Sequence, residues 1–252
     1  MTIDAKWLVK SYGHNRVLDA VTLAVGPGEI HGLLGPNGSG KTTCLHILTG
    51  LIAADEGSAC IEGINVARKE SRHLFGFAPD DLPLPGALTG REFLRFHDAL
   101  RGRDDSARAN QFAELLGIDG ALDQPVAEYS HGMQRKLQVI GAVMHDPELL
   151  ILDEPFRGLD PEAAATLRAM IIAFAESGRA VLIATHDMLR AERDCDAVTI
   201  LSSGRIVAVG APQQLIEDQP AASSLEDVFM HVTGRVDDAT RKLRFMETAF
   251  QR

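Results

Sequence analysis

Eight consecutive residues, Gly35-Pro36-Asn37-Gly38-Ser39-Gly40-Lys41-Thr42, fit the G-x-x-x-x-G-K-[ST] spacing of a phosphate-binding loop. A polyphosphate needs backbone N–H groups converging at close range, and side chains at Gly35, Gly38 and Gly40 would block that approach. Lys41 supplies a cation for β- and γ-phosphate oxygens, and Thr42 a hydroxyl for Mg²⁺. A helix opening through Thr42 and Thr43 turns its positive dipole end toward the anion.

A second group suits the same chemistry. The apolar run Glu148-Leu149-Leu150-Ile151-Leu152 ends abruptly in Asp153 and Glu154. In a phosphoryl-transfer site one carboxylate can hold the hydration shell of a metal, Asp153, and the next can orient or deprotonate an attacking water, Glu154. The run Ala180-Val181-Leu182-Ile183-Ala184-Thr185 ends at His186, beside the place of a γ-phosphate if the sheet is doubly wound. Tyr12 offers an aromatic face on which an adenine ring can stack.

These groups require a particular scaffold. Short apolar runs at residues 30–34, 75–78, 148–153 and 180–185 read as strands, those at 30–34, 148–153 and 180–185 as buried ones and that at 148–153 as a parallel one. The alternation from Trp7 to Val25, broken by Gly13-His14-Asn15, reads as antiparallel strands, and residues 198–209 as a terminal hairpin. Between Gly86 and Pro147 the pattern becomes helical, over 92–100, 106–116 and 131–144. In the last of these Met133, Leu137, Ile140 and Met144 form an apolar stripe, with Gln134, Arg135 and Lys136 expected in water and Ser130 at the N-cap. Leu225, Val228, Phe229 and Val232 repeat at i, i+3, i+4, i+7, with Ser224 and Asp227 at capping-box spacing. That stripe is expected to bury against the body of its own chain.

The 252 residues carry a formal net charge of −10, which opposes a general nucleic-acid or anionic-membrane surface. Cys44, Cys60 and Cys195 are too scattered for a disulfide framework or a zinc pair, as expected of a reducing cytoplasm. No stretch approaches the ~20 apolar residues of a spanning helix, so a membrane role would come through a partner.

Together these segments resemble the ATP-binding subunits of ABC transporters. Residues 35–42 are similar to the family's Walker A loop, Leu149 to Glu154 to its Walker B strand and catalytic glutamate, Gly158-Leu159-Asp160 to its D-loop, and Thr185-His186 to its switch histidine. Tyr129-Ser130-His131-Gly132-Met133 resembles the LSGGQ signature and stands in its expected place. The Tyr-Ser-x-Gly-Met form and the segment around Asp227 are most similar to the ABC-2 exporter branch. The resemblance covers residues 7–234 and implies a P-loop NTPase of α/β class, with a mixed sheet core, an antiparallel β subdomain and a helical subdomain.

It further implies one nucleotide-binding domain over 1–234, with the helical part at about 86–147, and a C-terminal tail over 235–252. ATP and Mg²⁺ are the implied cofactors. The implied assembly is a head-to-tail dimer with a second ATPase subunit, on a separate integral membrane permease at the inner face of the cell membrane. In it Ser130, His131, Gly132 and Met133 would meet ATP held by residues 35–43 of the neighbour. Three positions depart from the family. Asp80 replaces the Q-loop glutamine and keeps an oxygen for Mg²⁺; His131 replaces a glycine; Arg157 replaces a D-loop serine. A soluble ABC ATPase acting on nucleic acid or ribosomes is the alternative, but paired ATPase halves, coiled-coil insertions and basic arms are missing. A small-molecule kinase would leave Ser130 to Met133 and His186 unexplained.

Overall fold

The computed structural model describes residues 1–80 and 83–234. The expected tail at 235–252 lies outside the described residues. In chain order the elements are β1 (Ile3–Tyr12), β2 (Asn15–Val25), β3 (Ile30–Leu34), α1 (Lys41–Leu48), β4 (Glu56–Ile61), β5 (Ile64–Asn65) and β6 (Phe75–Ala78). Then come α2 (Gly90–Arg101), α3 (Ser106–Leu115), α4 (His131–Val143), β7 (Leu149–Asp153), α5 (Pro161–Glu176) and β8 (Ala180–Thr185). The described chain closes with α6 (Met188–Asp194), β9 (Ala197–Ser202), β10 (Arg205–Gly210), α7 (Pro212–Glu217) and α8 (Leu225–Val232).

The six-stranded sheet runs β10-β9-β3-β8-β7-β6, with β10 antiparallel to β9 and the other neighbours parallel. Its central strands β3, β7 and β8 are buried throughout, and apolar but for His31, Asp153 and Thr185, because both faces are covered. Leu149 and Ile151 of β7, and Ala180, Leu182 and Ala184 of β8, enter one cluster with α1 and strands β1, β2 and β4. Leu150, Leu152, Val181 and Ile183 point the other way, into a cluster with Leu167, Ile171 and Phe174 of α5 and Val139 of α4. The two-residue period of a strand thus divides each run between two cores.

A four-stranded antiparallel sheet, β2-β1-β4-β5, forms the second layer. Helices α2, α3 and α4 build a third cluster from Phe93, Leu94, Ala113, Leu137 and Ile140, with Leu122 from the connection between α3 and α4. Helix α4 reaches the sheet closely over β6: a Cβ on Gly76 would lie 1.8 Å from the Ala142 carbonyl oxygen. Only a glycine fits there.

Two expectations need correction. Arg135 does not face water; it is 5% exposed. The reason is that α4 has two buried faces. Met133, Leu137, Ile140 and Met144 pack into the helical cluster, while Val139, Ala142 and Val143, four, seven and eight positions beyond Arg135, pack against the sheet. The stripe of α8 does bury on its own chain, against Leu34, Met188 and Ile200. Its cap differs from a capping box: the Ser224 hydroxyl accepts the Asp227 N–H at 3.2 Å, but the Asp227 carboxylate returns to Ser223 rather than to Ser224. Helix α6 escaped the sequence reading because only Met188 and Ala191 of its seven residues are buried. The Asp187 carboxylate, which accepts the Arg190 N–H at 3.0 Å, was its available signal.

Candidate active site

Strands β3, β7 and β8 are adjacent and parallel, so the segments that follow them emerge at one sheet edge, where open α/β sheets place ligands. After β3 the chain enters the glycine loop. Gly38 and Gly40 sit at φ 79° and 109°, and a Cβ on Gly35 would lie 2.3 Å from the Leu201 carbonyl oxygen. Helix α1 begins directly after Gly40 with no side-chain cap, so its first N–H groups point into the loop. Lys41 is buried, and its ammonium donates to the carbonyls of Gly35 at 2.7 Å and Pro36 at 3.3 Å. Burial pulls its pKa down, against the opposing pull of Glu154 and Asp153. The Ser39 hydroxyl is buried with no hydrogen-bond partner. Asn37 is exposed, and Thr43 half-buried.

Across the edge, the Thr42 hydroxyl lies 3.5 Å from Oδ2 of Asp153. Asp153 is 4% exposed, and burial, reinforced by Asp80 and Glu154, pushes its pKa up to about 6. A buried carboxylate beside a hydroxyl suits a hard divalent cation, which would offset that desolvation. Among the described residues no group of three or more His, Cys, Asp or Glu could hold a metal by itself. The donor set therefore fits Mg²⁺ that draws its remaining oxygens from phosphate and water.

Glu154 has φ 47°, the left-handed region that a non-glycine residue occupies only under constraint. Its N–H donates to the Ala184 carbonyl at 2.8 Å. Its carboxylate accepts the Thr185 hydroxyl at 2.9 Å and the His186 N–H at 3.0 Å, and lies 2.6 Å from His186 Nδ1. Thr185 was named from sequence only as the neighbour of His186 and given no role, although a hydroxyl closing a buried strand there was a usable signal. Lys41, Thr42, Asp80, Asp153 and Glu154 line one cavity of about 330 Å³.

The second group of expected residues lies elsewhere. Ser130 caps α4, its hydroxyl accepting the Met133 N–H at 3.2 Å. Ser130, His131, Gly132 and Met133 line a separate cavity of about 370 Å³ with Gly158 and Asp160. Asp160 caps α5 by accepting the Ala163 N–H at 2.8 Å, a bond that holds its carboxyl below the usual range. Tyr12, 52% exposed on the β1–β2 hairpin, lines neither cavity.

Asp80 is held from two sides. One carboxylate oxygen accepts from Arg135 at 2.6 Å and the other from Arg157 at 2.6 Å.

This arrangement defines an ATPase of the P-loop kind, and the comparisons place it more narrowly. The chain belongs to the ABC transporter family, whose family model matches residues 18–157. It is an ATP-binding subunit of that family and an ATPase. It is 37% identical over 220 residues to the daunorubicin resistance ATP-binding protein DrrA2 of Streptomyces coeruleorubidus, covering 84% of this chain and 68% of the relative. It is 37% identical over 229 residues to the Nod factor export ATP-binding protein I of Burkholderia orbicola, covering 89% and 75%. A solved ATP-binding subunit of an ABC transporter superposes with a TM-score of 0.87 at 30% identity, over 92% of this chain and all of that one. A nucleotide-free ATP-binding cassette superposes at 0.76 with 22% identity, a likeness of fold.

Proposed function

We propose that this chain is the energy-coupling subunit of an exporter, in which two ATPase subunits bind ATP head to tail and drive a separate integral membrane permease. The observation that carries the dimer is the separation of the two half-sites. Lys41 and Asp153 line one cavity, and Ser130 with Gly132 lines another. A nucleotide held by residues 35–43 meets a signature helix when a second chain supplies it. The names of the two relatives, Nod factor export and daunorubicin resistance, support the export direction. Among the described residues no helix is long and apolar enough to cross a membrane, which fits attachment at the cytoplasmic face through the permease. The acidic net charge disfavours nucleic acid as partner.

Within the site, Gly35 to Thr43 hold the phosphates, with the Asn37 and Ser39 groups facing them and Tyr12 reaching the base. Lys41 exchanges its carbonyl partners for phosphate oxygens. Thr42 and Asp153 would hold Mg²⁺, with Asp80 beside them, and that ion would neutralise charge on the phosphates. Glu154 takes the proton of the attacking water. His186, whose side chain is 62% exposed, can leave Glu154 for the phosphate, which removes one of the two contacts on Oε1 and leaves the His186 N–H there. Asp160 fixes the start of α5 beside the signature segment of its own chain. Residues 86–147 act as the lobe that follows closure within the 1–234 domain, ahead of the 235–252 tail.

The test is capture of the tagged Glu154→Gln protein from detergent-solubilised native membranes in the presence of ATP, with co-purifying chains read by mass spectrometry. A polytopic membrane protein is the expected companion. Recovery of ribosomal or nucleic-acid-associated proteins alone, from folded and ATP-bound mutant, would refute the transporter assembly.

A further inference from the structure

Two of the departures from the family pattern, Asp80 and Arg157, meet in space, and a third residue joins them. Arg135 is buried inside α4, yet its guanidinium has four protein acceptors: the Pro79 carbonyl at 2.7 Å, Asp80 Oδ1 at 2.6 Å, the Glu154 carbonyl at 3.1 Å and Gln138 Oε1 at 3.3 Å. It thereby ties together the end of β6, the signature helix and the residue that follows β7. Asp80 and Arg157 line both the phosphate-side cavity and a neighbouring one of about 460 Å³ against α4. Their ion pair is the wall between the two.

The bond to the Glu154 carbonyl bears on catalysis because Glu154 sits at φ 47°. A residue in that region returns to ordinary backbone geometry unless its surroundings over-determine it. The Glu154 N–H is fixed by Ala184. Its carbonyl accepts the Arg157 N–H at 3.1 Å and, from the other side of the site, the Arg135 guanidinium at 3.1 Å. Loss of the guanidinium leaves the Arg157 N–H alone on that carbonyl, which gives the peptide plane room to turn and the carboxylate room to shift, and small misplacements of a catalytic group are expensive in rate.

We propose that Arg135 is a positioning residue for ATP hydrolysis, acting through the Glu154 main chain, and that Asp80, itself braced by Arg157, holds the Arg135 guanidinium in register. This rests on the assignment of Glu154 as the base. Asp80 is then engaged chiefly with two cations rather than with the metal, and it links the cavity beside the signature helix to the residue that acts on water. Planar geometry matters here: a guanidinium spans several acceptors at fixed angles, which an ammonium does not.

The experiment compares Arg135→Met, Arg135→Lys and Glu154→Gln by steady-state ATPase kinetics on the purified full chain. Rates are taken per mole of ATP-binding protein, at a temperature well below every variant's Tm. Arg135→Met is expected to lower kcat about tenfold with KM for ATP within about twofold, and Arg135→Lys to recover part of that loss. A merely structural role would lower Tm and leave normalised kcat alone; normalised kcat of Arg135→Met within about twofold of the parent overturns the proposal. If Arg135→Met does not fold, Asp80→Asn serves instead. Its expected kcat loss is about threefold, and adding Arg135→Lys should cost less than it does alone; fully additive losses overturn the proposal. Undiminished turnover of Glu154→Gln would remove the base assignment, an outcome read separately from the Arg135 variants.

Discussion

The phosphate loop and the signature segment both present the N-terminus of a helix, but they are finished differently. Helix α1 starts after a left-handed glycine and has no side-chain cap, so its leading N–H groups remain for a ligand. Helix α4 starts with Ser130, whose hydroxyl already accepts the Met133 N–H. One end is built to hold an anion by itself. The other is exposed and has one leading N–H, that of Met133, already capped, and its hydroxyl still has a proton to donate to a phosphate brought from outside. In the head-to-tail assembly proposed above, binding would be a property of one chain and turnover a property of two.

The strongest blow to turnover without binding is Glu154→Gln. Hydrolysis should fall ~10²-fold or more, ~3 kcal/mol of barrier, with ATP affinity by calorimetry retained. The strongest blow to binding is Lys41→Ala. ATP affinity of the isolated subunit should fall by ~30-fold, ~2 kcal/mol. Equal affinity in that variant would contradict the loop's role. Ser130→Ala should lower turnover about tenfold while leaving the isolated subunit's ATP affinity unchanged, and should cost α4 ~1 kcal/mol of cap stability. Mixing Lys41→Ala with Ser130→Ala subunits sharpens the test. The mixed dimer keeps one complete interface, from the Lys41 of one chain and the Ser130 of the other, so activity should exceed that of either variant alone. No recovery on mixing would break the comparison.

The smallest effect concerns acid. Burial, with Arg101 nearby, pushes the pKa values of His97 and His145 down from 6.5 to about 4. Between those values the unfolded chain binds more protons than the folded one, so this stability is present above pH 6.5 and is lost as pH falls toward 4. Both residues adjoin the helical cluster. A fall of ~2–4 °C in Tm per kcal/mol lost is expected between pH 7 and pH 5, reduced by His97→Gln, by differential scanning calorimetry.

Much of the nucleotide edge was legible because its residues obey local rules. The run at 30–34 and the run at 180–185 matched their strands residue for residue, since short, mainly apolar runs bounded by turn residues have few other uses. Glu154 and His186 followed from being next after such runs. What escaped depended on tertiary contact. Arg135 looked like a solvated charge because its partners, Pro79, Asp80 and Glu154, are remote in sequence. The φ of Glu154 has no signature in its neighbours, and the pairing of Asp80 with Arg157 joins positions 77 residues apart. Only the spacing of Val139 and Ala142 behind Arg135 hinted that this side of α4 turns inward.

The order of strands also sets a timetable for synthesis. The antiparallel sheet uses residues 3–65 alone, so it can close while the rest of the chain is still on the ribosome. The phosphate loop is made early too, at residue 35, yet β3 is flanked by β8 and β9, which end at residues 185 and 202. Until the second half has been translated, the strand that carries the loop lacks both neighbours. Nascent chains stalled with 150 residues exposed should therefore protect the antiparallel sheet from protease and gain nothing from ATP. Those stalled with 234 exposed should be protected further by the nucleotide.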